Sequence, residues 1–160
     1  MPVGCFAVLK PLAGACGGFL LAVLWMDLIF DVQVLAHRKA GNELPEAVLA
    51  SIANYYHRAT TTSRPMSWLI AGVMVILLST LALHGVRGTG PSWVDITTAA
   101  LAAGPILLAL AHTVPRAVRL GNRAGDVAEQ TRLARVICRE HLVCTALMLA
   151  FLLLWVGAAG

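Results

Sequence analysis

The sequence predicts an all-α polytopic membrane protein, with four transmembrane helices in a bundle and one amphipathic helix on the cytoplasmic side. Three observations carry that expectation. Of 160 residues, 59% are apolar and 12% charged, and a soluble domain carries about twice that charge. Four stretches of roughly 20 residues are almost free of charge, each long enough to cross a ~30 Å hydrocarbon core. The basic residues gather in the two longer connections. This composition excludes a soluble enzyme, a disordered chain and a nucleic-acid-binding domain. The net charge of +4 reads as an orientation signal, with no nucleic-acid partner implied.

The first span covers residues 12–36, where Gly14, Gly17 and Gly18 allow close helix contact. No basic segment precedes it and no small-residue cleavage site follows, so it is expected to be retained rather than removed as a signal. Gly41 is placed to stop the helix. Between Glu43 and Arg58, the residues Leu44, Val48, Ile52 and Tyr55/Tyr56 recur at helical spacing. They predict an amphipathic helix over 43–59 that lies on the interface or caps the bundle. The Thr60–Ser63 run is a polar hinge into the second span, 65–85, which opens with Pro65 in its tolerated first turn. The third span, 93–114, contains Pro105, which should kink it, and is expected to end at Pro115. Asp126 and Glu129 form a capping-box-like start to the last helix. That helix runs on through the fourth span, 136–157, so its first three turns would stand in water. Cys5, Cys16, Cys138 and Cys144 show no CxxC spacing; Cys16 and Cys144 are expected inside helices as small apolar side chains.

Ten basic residues flank one end of these spans: Arg38, Lys39, Arg58, Arg64, Arg116, Arg119, Arg123, Arg132, Arg135 and Arg139. Lys10 and Arg87 flank the other. The positive-inside rule then makes both long connections cytoplasmic and places both termini outside. The expected home is a membrane of the bacterial inner-membrane type.

Asp27 and Asp31 lie four residues apart and so project from one face of the first helix. A charged aspartate at the bilayer centre costs at least ~2.5–3.5 kcal/mol, and intramembrane acids are functional by default. Both are candidate catalytic groups, with one as general base. The alternative is that they pair with Arg64, Arg116 or Arg139 and lock the helices together. His112, His141 and Glu140 fall on the same side and could converge on these carboxylates as ligands for iron, manganese, copper or zinc. No HxxH, HxxxH or ExxH spacing occurs, so only folding could assemble such a site. Tyr55-Tyr56 reads either as an interfacial aromatic anchor or as a source of a hydroxyl, from Tyr56 in particular, that reaches a substrate. Arg116, in the break after the third span, could contact lipid head groups or neutralise an anionic ligand.

The chain's size, four spans, glycine-rich first helix and Val114-Pro115 with Leu120 resemble the anthrone-oxygenase-like family of small membrane proteins, mostly uncharacterised. Arg116 departs from the asparagine expected after that proline. Some members oxidise polyketide anthrones without a known organic cofactor, so the resemblance implies oxidative chemistry on a hydrophobic substrate; it assigns no catalytic residue.

Three function classes therefore stand. One is a small membrane enzyme, oxidative or metal-assisted, whose hydrophobic small molecule reaches the aspartates laterally from the lipid bilayer. Another is a non-enzymatic subunit or assembly factor of a larger membrane complex, in which the polar groups are helix glue; isolation as a lone homo-oligomer would count against this reading. The last is a proton-coupled carrier, against which the lack of matched inverted halves counts.

Overall fold

The computed structural model describes residues 4–37, 43–87 and 92–157, with side chains from Val8 onward in the first segment and from Trp93 onward in the last. Arg38, Lys39 and Gly41, and the side chain of Cys5, lie outside what it describes. Helices α1 (Gly4–Asp31), α2 (Gln33–Ala36), α3 (Glu46–His57), α4 (Arg64–Val86), α5 (Ser92–Leu108), α6 (Val114–Gly121) and α7 (Val127–Gly157) follow in order. No strand occurs among the described residues. Among the described residues, four runs are long and apolar enough to cross a membrane: Val8–Ala36, Arg64–Val86, Trp93–Gly121 and Val127–Gly157. The fold is an all-α bundle of an integral membrane protein.

The third run corrects one expectation. Pro115 does not end it. Widened π turns occupy Ala109–Thr113 and also Arg58–Thr62. The first of these leads into the opening turn of α6, which contains Pro115. The helix then continues to Gly121. Pro105 stays within α5, and the Cys144 thiol of α7 lies 3.9 Å from its carbonyl oxygen.

Two apolar cores hold the chain. In the bundle, Ala13 and Leu20 of α1, Leu77 and Leu81 of α4, Ala102 and Ile106 of α5, and Met148 and Phe151 of α7 are buried together. A Cβ on Gly17 would meet the Phe151 ring at 2.7 Å, so this glycine lets α1 approach α7; Gly14 and Gly18 face nothing within 4 Å. Cys16, Cys138 and Cys144 are buried thiols.

The second core forms a cap over one end. Leu49, Ile52 and Tyr56 of α3 pack on Ala117 and Leu120 of α6, Leu133 and Ile137 of α7, and on Val34 and Leu44. Of the two roles open to the amphipathic helix, the structure shows capping. The Leu44 N–H donates to Thr131 Oγ1 at 3.0 Å, tying the segment before α3 to α7. Asp126 Oδ1 accepts the Glu129 N–H at 2.8 Å, while the Glu129 carboxylate goes to Arg119 and Arg132. Only half of the expected capping box forms.

The cap depends on one close approach. A Cβ on Gly121 would lie 2.7 Å from the backbone nitrogen of His57. Gly121→Ala should therefore push α6 off α3 and lower the unfolding free energy by about 1–3 kcal/mol, the usual cost of overpacking. Thermal unfolding in detergent measures this; an unchanged midpoint would show that the two helices are free to separate.

A carboxylate, imidazole and tyrosine cluster at the junction of cap and bundle

Asp27 and Asp31 leave α1 on one face, as their spacing requires, and that face turns toward α3 and α7. Asp31 is completely buried. Its Oδ1 accepts the Tyr56 hydroxyl at 2.7 Å, and its Oδ2 lies 2.6 Å from His141 Nδ1. Asp27 Oδ1 accepts the Tyr55 hydroxyl at 2.6 Å. Its Oδ2 stands 3.8 Å from His141 Nε2, beyond hydrogen-bond reach. Four side chains from α1 and α3 thus gather at one imidazole on α7.

The arrangement fixes the roles of its members. With Asp31 as a carboxylate, His141 Nδ1 carries the hydrogen, and in the neutral imidazole Nε2 presents its lone pair toward Asp27. Burial first, and then the charges of Asp27 and Asp31, hold both tyrosine phenols above their ordinary range, so both remain hydrogen-bond donors. Rings line one side: Phe30 stacks on Tyr55 at 4.1 Å and 11°, and Tyr55 meets Tyr56 edge-on at 5.2 Å. Asp31 and His141 are sealed, whereas the Asp27 side chain is 18% exposed.

The remaining expected site residues go elsewhere. Glu140 accepts Thr113 Oγ1 at 2.9 Å and is paired with Arg116. Arg116 is thereby committed to α7 and does not reach the aspartates. His112 is exposed on the π turn. His112, His141 and Glu140 are therefore not brought together as a ligand set. Among the described residues, no group of three or more His, Cys, Asp or Glu is placed to hold a metal ion.

Sequence reasoning missed a second polar pair at the opposite end. His84 Nδ1 of α4 lies 3.1 Å from Asp95 Oδ1 of α5, and the Trp155 ring meets His84 edge-on at 5.0 Å. Trp155 Nε1 donates to the Lys10 carbonyl at 3.0 Å, so four helices are tied there. The available signal was topological: the last turn of α4 and the first turn of α5 face each other across a short connection.

Compared with known proteins, the chain matches no family model, no curated protein and no solved structure. The fold and the cluster define a class, an all-α integral membrane protein with a buried acid–imidazole site.

Proposed function

We propose that this chain is a small membrane enzyme in which the Asp31–His141 pair takes a proton from a hydrophobic substrate at the cytoplasmic face of a bacterial inner membrane. The carrying observation is His141 itself, with Nδ1 held by a buried carboxylate and Nε2 left without a hydrogen bond. That is how a carboxylate orients an imidazole to act as a base. Asp27 lies beside Nε2 and can receive or stabilise the proton. The orientation rests on the excess of basic residues at this end.

The resemblance to anthrone-oxygenase-like proteins supplies a reaction to try. An activated methylene gives its proton to His141 Nε2, and the resulting carbanion passes electrons to dioxygen as co-substrate. One oxygen atom becomes the new carbonyl and the other leaves as water. The carrier reading gains no support, because Leu20, Leu77, Ile106, Met148 and Phe151 fill the middle of the bundle with apolar side chains.

The test is oxygen consumption by detergent-purified protein supplied with an anthrone. His141→Gln and Asp31→Asn, each monodisperse on gel filtration, should lower the rate at least ~10²-fold, the usual contribution of a positioned base. Full activity in His141→Gln would overturn the assignment. Isolation in stoichiometric complex with another protein, without turnover, would favour the subunit reading.

A further inference from the structure

The cluster's depth and its one partly open side say more about what it binds. On α7, the outward face changes from Arg132 and Arg139 to Leu142, Val143, Leu149 and Leu153. On α4, exposed Arg64 gives way to exposed Trp68 and Leu69. The third run passes from exposed Leu107 and Leu110 to Arg116 and Arg119. Tryptophan and arginine mark the boundary between acyl chains and head groups. The α7 transition brackets His141, the third run's is level with it because Arg116 pairs with the adjacent Glu140, and Asp31 sits 2.6 Å from His141. The cluster is therefore at head-group depth, one end of it just inside the acyl layer.

Only Asp27 and Tyr55 reach the surface from this cluster. The α1 residues beside Asp27 on the outward face are Trp25, Met26 and Ile29, each at least half exposed and apolar, so the seam between α1 and α3 opens toward lipid. Within the seam, two carboxylates surround one imidazole, and the nearby Arg116 is already held by Glu140. Among the described residues, both aspartates face His141 rather than an arginine or lysine, so an incoming anion meets carboxylate charge first. A hydroxyl, by contrast, finds an acceptor in Asp27 and another in His141 Nε2, with the Phe30–Tyr55 stack as a flat wall beside it.

We infer that the cluster takes its ligand from the bilayer through the α1–α3 seam, and that this ligand is an uncharged amphiphile whose head donates a hydrogen bond. Phosphate and carboxylate heads are rejected by Asp27 and Asp31. An ammonium head would have to shed its tightly held water for little more than the second oxygen of Asp27, because Tyr55 takes the first and both oxygens of Asp31 are already used, whereas a hydroxyl loses far less. The tail stays outside, against Met26, Ile29 and Phe30. This inference rests on the proposed enzymatic site but does not require turnover.

A photoreactive analogue of dodecanol, with its diazirine next to the hydroxyl, tests it on the full chain in phosphatidylcholine nanodiscs. Labelling should concentrate on residues 25–30 and on Tyr55. Dodecanol should compete, while dodecyl phosphate and dodecylamine should compete at least about tenfold less well. Asp27→Ala should weaken labelling about tenfold. Ile29→Trp, which alters only the lipid face of the seam, should reduce it without disturbing the cluster or the fold. Labelling spread evenly over Leu142, Leu149 and Leu153 would overturn the inference, as would equal competition by the phosphate or the amine. Seam labelling without oxygen consumption would keep this inference and sink the proposed reaction; turnover without seam labelling would do the reverse.

Discussion

Asp31→Ala is expected to destabilise the protein by about 3–5 kcal/mol, the cost of removing one partner from a buried hydrogen-bonded pair. Asp31 is fully buried, and both of its oxygens are used. Alanine would leave the Tyr56 hydroxyl and His141 Nδ1 facing each other at 3.4 Å with no carboxylate between them. It would also open a space the size of the lost carboxyl. Asp31→Asn keeps the volume and an acceptor for one of the two donors, so its cost should be well below that of alanine. Unfolding free energies in mixed micelles measure both. His141→Ala combined with Asp31→Ala should be less damaging than the sum of the two, with a coupling on the order of 0.5–3 kcal/mol. Strict additivity would mean that the pair seen at 2.6 Å does not act as a unit, and the general-base reading would fall with it.

Much of this site was legible because helix periodicity carries it. Asp27 and Asp31 share a face at four-residue spacing, and the apolar stripe through Leu44, Val48, Ile52 and Tyr56 named the side of α3 that packs. The capping role of α3 then brought Tyr55 and Tyr56 to the two aspartates in matching order. What could not be read was which histidine joins them. His141 and His112 looked equivalent as polar residues near the same boundary. The π turn over Ala109–Thr113 breaks that equivalence: it inserts an extra residue and rotates everything in it relative to a 3.6-residue repeat, leaving His112 on the surface. The same turn presents Thr113 and Arg116 to Glu140, so the acid beside His141 is neutralised by its own partner and the arginine expected at the aspartates is used up. Nothing in the composition of Ala109–Thr113 announces a π turn except the proline two residues later. The His84–Asp95 tie was hidden for a different reason. Each residue alone is an ordinary span-end polar group, and only the antiparallel pairing of α4 with α5 makes them partners.

Alkaline titration should show a site that resists ionisation until the protein unfolds. The chain contains two tyrosines, both in the cluster, so the ultraviolet absorbance of tyrosinate reports this site alone. In the unfolded chain a phenol titrates near pH 10. In the folded protein burial is the largest cause of the rise at each ring, followed by the charge of Asp27 for Tyr55 and of Asp31 for Tyr56. A folded value above the unfolded one means that the unfolded state binds fewer protons once the pH exceeds about 10. The stabilising contribution is thus fully present below that pH and is lost as the pH climbs toward the folded value. The loss approaches 1.4 kcal/mol per pH unit, roughly, for a tyrosine that titrates only when unfolded. Tyr56, the more deeply buried, should approach that slope, and half-buried Tyr55 should fall short of it. Tyrosinate absorbance and loss of helical circular dichroism should consequently rise together, in one cooperative step above pH 10. Tyr56→Phe should remove most of the pH dependence, at the price of an unshared Asp31 oxygen and a lower stability at neutral pH. If tyrosinate instead appears near pH 10 while the helices remain intact, the hydroxyls are not holding the carboxylates, and the cluster is open to water in a way that no proton-transfer role for His141 could survive.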